Sequence, residues 1–308
     1  MAIALQETLR AVFYAPFYAA LALDAYRQEG LEVRLVTAPT PAAAARNLAE
    51  GNADVAWGGP MRVLHTYEND PDCELVCFCE VVTRDPFFLV GRRPKPDFKL
   101  RDLLGVRLAT VSEVPTPWLC LQEDLRRAGL DPAMLERLPD RSMAENCEAL
   151  RRGEIDVVQL FDPFVEELLE TGAGYIWWAA ASRGPTSYTT LYAPRALLAA
   201  RPQDCEGMVR AIYRTQKWLQ LSDGSRLAAA IAGYFPNLPQ RRLAKALDRY
   251  KALKIWGRDP RLPRLGYERL SAGLLSGGLI SSVTAYERAV DNSLAERVLR
   301  QDPPALAS

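Results

Sequence analysis

The sequence predicts a two-lobed α/β protein in which each lobe is a mixed, mostly parallel sheet flanked by helices, with two hinge crossovers and a helical C-terminal region. Three observations predict this fold. Apolar strand-like runs alternate with helix-like segments twice before Leu160. One short motif recurs in each half of that stretch. Two further strand-like runs are placed to carry the chain between the lobes.

Length and composition fit this fold and exclude several others. The 308 residues suffice for two lobes of ordinary domain size. Hydrophobic residues make up 49% and charged residues 25%, as in globular proteins generally. The 38 basic and 38 acidic residues cancel, so charge does not favour nucleic acid or a membrane surface as the partner. No apolar run reaches the ~18 residues that a transmembrane helix needs.

The N-terminal segment 1–7 lacks the basic n-region and the long apolar h-region of a secretory signal. Two expectations about location remain open. The protein is periplasmic if a signal peptide has been removed, and cytoplasmic if the chain never carried one.

The first half shows a β-α-β-α-β rhythm, which predicts parallel strands with helices on the sheet faces. A glycine follows each of the two helices, in the position where a helix commonly ends. In chain order the predicted elements are a strand at 9–13, a helix at 18–28, a strand at 31–36, a helix at 41–50 and a strand at 54–57.

The same rhythm returns in the second half. The predicted elements are a strand at 106–111, helices at 118–128 and 142–152, and a strand at 156–160. Residues 48–55 and 150–157 both have the pattern L-x-x-G-x-x-D-V, which describes a helix, a glycine stop, a tight turn and a buried strand. One copy in each half favours two similar lobes.

Two strand-like runs, 86–91 and 187–192, are the predicted crossovers. They divide the chain into one lobe formed by 1–88 with 190–308 and a second lobe formed by 89–189. The chain after Pro194 is predicted to be helical, at 203–221, 225–234, 240–256, 267–276 and 285–299.

The reactive residue types give no sign of catalysis. The six cysteines form no CxxC pair, and Cys77 and Cys79 lie in an apolar run where they are predicted to be buried on one face of a strand. The single histidine, His65, cannot by itself indicate a triad. No nucleophile elbow, phosphate-binding loop or metalloprotease motif occurs. The sequence therefore predicts a protein that is not an enzyme and that uses no metal and no cofactor.

A ligand site is predicted beyond the carboxyl ends of the strands, where open α/β sheets bind their ligands. The candidate ligand-binding residues share a position just after a predicted strand or beside a crossover. They are Tyr14, Phe17, Tyr18, Thr37, Thr40, Trp57, Gly58, Gly59, Arg84, Ser112, Glu113, Thr116, Trp118, Asp162, Arg183 and Tyr188.

Several of these residues have a structural alternative. Thr40 and Thr116 each precede a proline, as N-cap residues do, and such helix ends offer free N–H groups to a polar ligand or are simply capped. Trp57 and Trp118 are predicted either to sandwich a flat ligand between the lobes or to pack in the core.

The hinge arginines have alternatives of the same kind. Arg84 and Arg183 stand just before the two predicted crossovers. Each is predicted either to bind a ligand carboxylate through its planar fork or to form a structural ion pair.

Five segments in this order and spacing carry a family resemblance: 16–21, 29–33, 48–55, 103–107 and 156–157. They resemble periplasmic-binding-protein type 2 proteins of the NMT1/THI5-like group, which includes nitrate, sulfonate, taurine and pyrimidine-precursor binding proteins of ABC importers. The resemblance implies a monomer that closes on a small organic ligand, anionic or aromatic, between its lobes. It also implies that the closed protein meets an ABC permease.

The same fold group includes the thiamine-pathway pyrimidine synthase, which uses a lysine-bound pyridoxal phosphate and a CCCFC motif. Here Trp57-Gly58-Gly59-Pro60 follows the third strand without a lysine, and Cys77-Phe78-Cys79 precedes the first crossover. These departures favour the binding protein. An enzyme on the same fold, such as a small-molecule decarboxylase, and a cytoplasmic ligand sensor remain the alternatives.

Overall fold

Two separate five-stranded sheets organise the computed structural model, which describes residues 2–307. The first sheet has the order β2-β1-β3-β10-β4 and the second β7-β6-β8-β5-β9. The strands are β1 Ile3–Glu7, β2 Val33–Thr37, β3 Val55–Gly58, β4 Leu75–Val82, β5 Phe88–Gly91, β6 Arg107–Ala109, β7 Glu136–Leu138, β8 Val157–Leu160, β9 Tyr175–Ala179 and β10 Thr189–Pro194. We call the first sheet and the helices packed on it lobe 1, and the second sheet and its helices lobe 2.

Each sheet is mixed in the same way. In the first, β1 pairs in parallel with β2 and β3, whereas β10 runs antiparallel to β3 and β4. In the second, β6 pairs in parallel with β7 and β8, whereas β5 runs antiparallel to β8 and β9. The predicted two-lobed α/β fold is confirmed.

The helices surround both sheets. They are α1 Ala15–Ala22, α2 Ala25–Gln28, α3 Pro41–Ala49, α4 Pro60–Asn69, α5 Thr116–Arg127, α6 Met143–Arg152, α7 Phe164–Glu170, α8 Arg195–Ala200, α9 Pro202–Leu221, α10 Gly224–Ile231, α11 Gln240–Ala252, α12 Arg264–Ser276, α13 Tyr286–Ala289 and α14 Ser293–Gln301.

The predicted first strand at 9–13 was wrong. Strand β1 is Ile3–Glu7, and residues 12–14 form a turn of 3-10 helix. Because β1 lies between β2 and β3, all five of its residues are buried, including the polar Gln6 and Glu7. A strand buried on both faces shows no alternation, and its two polar residues interrupt the apolar run that would otherwise mark it.

The crossovers lie earlier in the chain than the predicted runs. Strand β5 begins at Phe88 in the second sheet and β10 begins at Thr189 in the first, so segments 83–87 and 180–188 join the lobes. Thr186 and Tyr188 donate their backbone N–H groups to the carbonyls of Thr83 and Val82, at 2.7 and 2.8 Å. The two crossovers therefore lie side by side as a hinge.

The C-terminal helices contact both lobes. Helix α9 packs against α1, α2 and β4 of lobe 1. Helix α11 contacts α7 of lobe 2, and α12 packs between α4 of lobe 1 and α5 of lobe 2. The region after β10 thus brackets the gap between the sheets from two sides.

The two cysteines of β4 do not share a face, contrary to the prediction. Cys79 pairs with Leu191 and Cys77 with Tyr192, so one extra residue is inserted in β4 between these pairs. This bulge places Cys77 and Cys79 in different hydrophobic clusters. The prediction assumed an unbroken strand.

Candidate functional site

A groove of about 560 Å³ lies between the lobes. Segment 9–12, which follows β1, forms the wall on lobe 1, and segment 234–238, which follows α10, forms a third side. Glu113, Met143 and Phe161 belong to the wall on lobe 2. Of the predicted site residues, Glu113 lines this groove, and its Oε1 accepts a hydrogen bond of 2.9 Å from the backbone of Met143.

A buried carboxylate organises the end of β1 beside this groove. Glu7 is 1% exposed and accepts hydrogen bonds from Tyr18 Oη at 2.7 Å and from Thr37 Oγ1 at 3.4 Å. It also forms an ion pair with Arg10, whose guanidinium lies 5.8 Å from the centroids of the Tyr18 and Tyr234 rings. Burial, together with the charge of Glu7, raises the pKa of Tyr18, so its hydroxyl remains a donor. Tyr18 and Thr37 therefore hold Glu7, and Glu7 directs Arg10 into the groove.

The aromatic residues that follow β1 and β3 meet in the core of lobe 1. Trp57 is 1% exposed and stacks on Phe17 with ring centroids 4.6 Å apart. Tyr14 and Tyr18 meet its ring at an angle, at 6.0 and 5.6 Å. In lobe 2 the Arg137 guanidinium covers Trp118 at 4.3 Å, and the two tryptophans lie in separate clusters. Each indole is already packed within its own lobe.

The end of β3 presents an arginine without a counter-charge. A Cβ atom at Gly58 would lie only 2.9 Å from Cδ and Nε of Arg62. A Cβ atom at Gly59 would lie 3.1 Å from the carbonyl oxygen of Tyr188. The two glycines therefore let Arg62 and the second crossover approach the strand end. Within residues 2–307, the buried Nε and Nη1 of Arg62 have no hydrogen-bond partner and Arg62 forms no ion pair.

The charge of Arg62 affects the pKa values of two nearby tyrosines. Burial raises the pKa of Tyr14, and it raises the pKa of Tyr192 to about 12, while the positive charge of Arg62 opposes both shifts. The guanidinium thus lies near two phenol groups. Trp57 Nε1 is likewise buried without a partner in the part of the chain that is described, and the Thr189 hydroxyl at the start of β10 lies beside the Tyr14 hydroxyl. Polar atoms able to donate hydrogen bonds therefore gather at the carboxyl end of β3.

The sequence prediction missed Arg62, Arg10 and Glu7. One signal could have found Arg62: it stands in the first turn of α4, directly after the glycine pair and proline. A positive charge is unfavourable at a helix N-terminus, so its presence there indicates a role other than stabilising the helix.

The predicted hinge residues differ in the partners that they contact. Arg183, 7% exposed in its side chain, forms ion pairs with Asp85 at 2.9 Å and Asp124 at 2.5 Å, which is the structural alternative. Arg84 makes a long contact of 3.5 Å with the carbonyl of Ala181. Tyr188 is buried and packs edge-on against Phe13 with centroids 6.0 Å apart.

The remaining polar candidates lie at loop ends. Thr40 caps α3 by accepting a 3.1 Å hydrogen bond from Ala43 N. The prediction that Thr116 is an N-cap was wrong: Thr116 is the first residue of α5, and Pro115 precedes it without a side-chain cap. Ser112 is exposed beside Glu113.

Asp162 lies deeper than these loop residues. It is completely buried and accepts hydrogen bonds of 2.8 and 2.9 Å from Arg249 of α11. Its carboxylate therefore joins lobe 2 to the C-terminal helices.

The cysteines are unsuited to nucleophilic chemistry. All six are free and buried. Burial raises the pKa of each, to about 12 for Cys120 and Cys147 and about 11 for Cys205, so they stay protonated at neutral pH. No group of three or more His, Cys, Asp or Glu residues able to hold a metal occurs in 2–307. Over the same range, every helix is too short or too polar to cross a bilayer.

Comparison with known proteins places the chain in a family. YtlA of Bacillus subtilis (strain 168) is 23% identical over 294 residues, covering 95% of this chain and 88% of YtlA. The alkanesulfonate-binding protein SsuA from Xanthomonas axonopodis pv. citri, solved with MOPS, has a TM-score of 0.70 at 16% identity, covering 95% of this chain and 98% of SsuA.

A mutant of the desulfurization enzyme DSZB, in complex with biphenyl-2-sulfinic acid, has a TM-score of 0.71 at 13% identity, covering 97% of this chain and 99% of DSZB. The fold thus occurs in binding proteins and in an enzyme. A family model described as NMT1/THI5 like matches residues 13–220, more than half of the chain. The protein therefore belongs to the NMT1/THI5-like family.

Proposed function

We propose that this protein is the solute-binding component of an ABC-type importer and holds a small organic anion between its lobes. One observation carries the proposal. The Nε and Nη1 atoms of Arg62 are buried at the carboxyl end of β3, and no acceptor or carboxylate among residues 2–307 reaches them. Ligands of open α/β sheets bind at such strand ends.

The energetics favour an anion. Arg62 is partly buried, and leaving its buried Nε and Nη1 atoms without an acceptor is unfavourable. A carboxylate or sulfonate that accepts two parallel hydrogen bonds would satisfy both atoms. Tyr14 and Tyr192 lie near the same charge and supply phenol hydroxyls. The aromatic rings around them suit an organic body, as in most small-molecule sites. An aromatic carboxylate, a sulfonate and an anionic pyrimidine are the classes that fit.

The relatives support transport more than catalysis. SsuA is an alkanesulfonate-binding protein by its name, whereas DSZB is a desulfurization enzyme. A thiol nucleophile does not fit here, because burial raises the pKa of all six cysteines and keeps them protonated. We therefore propose binding without turnover, by a monomer that meets its permease in the periplasm. We also propose the lobe boundaries 1–88 with 190–308, and 89–189.

Isothermal titration with aromatic carboxylates, alkanesulfonates and pyrimidines tests the assignment. For the tightest ligand, we expect Arg62→Met to weaken binding at least about tenfold, which corresponds to ~1.4 kcal/mol. Arg46→Met is the matched control, since Arg46 is exposed on the neighbouring helix α3 and forms no ion pair in the described chain. Arg62→Lys keeps the charge but loses the fork, so an intermediate loss is expected.

Equal affinity in the Arg62→Met variant and the wild type would remove Arg62 from the site. If chromatography of the titrated sample shows that the compound has been consumed, the protein is an enzyme and the transport proposal is wrong. Small-angle scattering adds a second measurement, because binding between lobes that close reduces the radius of gyration.

A further inference from the structure

A second cavity, of about 400 Å³, lies at the hinge and shares no lining residue with the groove between the lobes. We call it the hinge cavity. It touches the first crossover at Thr83 and Arg84, the second at Pro185, and the segment 256–263 that follows α11. Its other lining residues are Glu80, Gln220, Lys251, Lys254, Tyr286 and Asn292.

The wall of the hinge cavity is strongly cationic. Arg84, Lys251, Lys254 and Arg258 line it, and none of them forms an ion pair within residues 2–307. Lys251 donates to the carbonyl of Ser222, and Arg84 contacts only the carbonyl of Ala181 among described groups. A fifth cation, Arg261, is neutralised by Asp259 at 2.9 Å. Four positive charges without an ion-pair partner thus border one small cavity and would attract an anion that enters it.

The floor of the cavity is a buried acid. Glu80 is 2% exposed, lines the cavity, and its Oε1 has no hydrogen-bond partner in the described part of the chain. Burial raises the pKa of Glu80 to about 8, although Ser187 and Thr83 oppose the shift. At neutral pH the carboxyl is therefore mostly protonated. It adds no charge and offers an O–H donor.

The cavity is built on the strands that connect the lobes. Thr83 N donates to the carbonyl of Ile255 at 2.7 Å, and Gly257 N donates to that of Val81 at 2.9 Å. Thr186 N donates to the carbonyl of Thr83 at 2.7 Å. Both crossovers and segment 255–257 thus form one hydrogen-bonded unit. A molecule held in the cavity contacts all three.

We propose that the hinge cavity binds a compact multivalent anion of the phosphate class, such as pyrophosphate or a phosphate monoester. The unpaired cations of the wall attract the charge, the protonated floor donates a hydrogen bond to a phosphate oxygen, and the volume suits a molecule of this size. The bound anion ties the two crossovers to segment 255–257. The hinge cavity does not include Arg62, so this site is independent of the ligand proposed at Arg62.

Calorimetric titration with sodium pyrophosphate at pH 7, at constant ionic strength, tests this site. We expect the double variant K254A/R258A to bind at least tenfold more weakly than the wild type. Both side chains are exposed, so the fold tolerates the change. The control is R34A/R300A, which removes two exposed cations outside the cavity lining and leaves the affinity unchanged. Parallel titrations with inorganic phosphate and phenyl phosphate show whether the site prefers a free inorganic ion or an organic ester. The compound that binds most tightly identifies the class.

Hydrogen exchange shows where on the protein the anion binds. We expect pyrophosphate to slow exchange of the backbone amides in 83–87 and 255–257 of the wild type and not of K254A/R258A. An absence of measurable binding, an equal loss of affinity in R34A/R300A, or slowed exchange elsewhere than in these segments would each overturn the proposal.

Discussion

Glu80 makes the stability of this protein depend on pH, and Glu80→Gln removes that dependence. An unfolded glutamate titrates near its ordinary pKa of 4.5, whereas burial raises the pKa of Glu80 to about 8 in the folded chain. Between these values the folded state holds a proton that the unfolded state has lost. Stability contributed by the protonated form is therefore full below about pH 4.5 and falls as the pH rises towards 8. Each pH unit within this window costs about 1.4 kcal/mol.

The size of the effect follows from that window. At pH 7 the wild type loses about 3 kcal/mol relative to a chain with an uncharged residue at this position. Glutamine has nearly the same shape and carries no charge, so Glu80→Gln should match the wild type below about pH 4. We expect its advantage to be about 1 kcal/mol at pH 5 and to grow by about 1.2–1.4 kcal/mol per pH unit up to pH 7.

Urea unfolding at pH 5, 6, 7 and 8 measures this difference directly, provided that the m-value stays constant. Glu32→Gln is the control, because Glu32 is exposed and its replacement should shift stability equally at every pH. If the curves of Glu80→Gln and the wild type run parallel from pH 5 to 8, the carboxyl of Glu80 is not held protonated by burial.

Three further predictions concern the candidate site and its supports. Thr40→Ala should cost about 1 kcal/mol in urea unfolding, through loss of the cap on α3, whereas Thr40→Ser should cost little. Arg249→Met leaves Asp162 buried without its cation, while Glu166 keeps Lys245, so we expect a loss of about 3–5 kcal/mol that is smaller at low pH; equal loss at pH 4 and 7 would contradict this. Trp57→Ala should cost about 3–5 kcal/mol in thermal unfolding even without ligand, because its ring is packed on Phe17; an unchanged melting temperature would show that the indole is not part of the core.

The fold was largely predictable because its signals are local. Glycines end the helices before β2 and β8 with positive φ, at Gly30 and Gly153, as the sequence predicted. Periodicity located β2, β3 and β8 within one or two residues. It failed at β1, where polar Gln6 and Glu7 are buried by partners distant in the sequence. Local patterns cannot report burial that depends on tertiary pairing.

The candidate site was less predictable for the same reason. The rule that strand ends bind ligands selects loops, but it cannot tell which of their side chains face the gap between the lobes. For Trp57 the sequence left two alternatives, a ligand platform or core packing, and the structure shows its ring packed against Phe17, Tyr14 and Tyr18. Which charge has a partner is decided by contacts across more than fifty residues, as between Arg183 and Asp124.

The arginines Arg183, Arg249 and Arg62 differ in whether they already have an ion-pair partner, and this difference is the reason for proposing a ligand at Arg62 and not at the other two. Arg183 and Arg249 each satisfy a buried carboxylate of a neighbouring element, so neither can turn to a ligand without leaving that carboxylate unpaired, at a cost of several kcal/mol. Arg62 has no such obligation within the described chain. In the proposed site, an anion that pairs with Arg62 would satisfy its buried Nε and Nη1 atoms without breaking an existing ion pair, whereas an anion that pairs with Arg183 would have to break two.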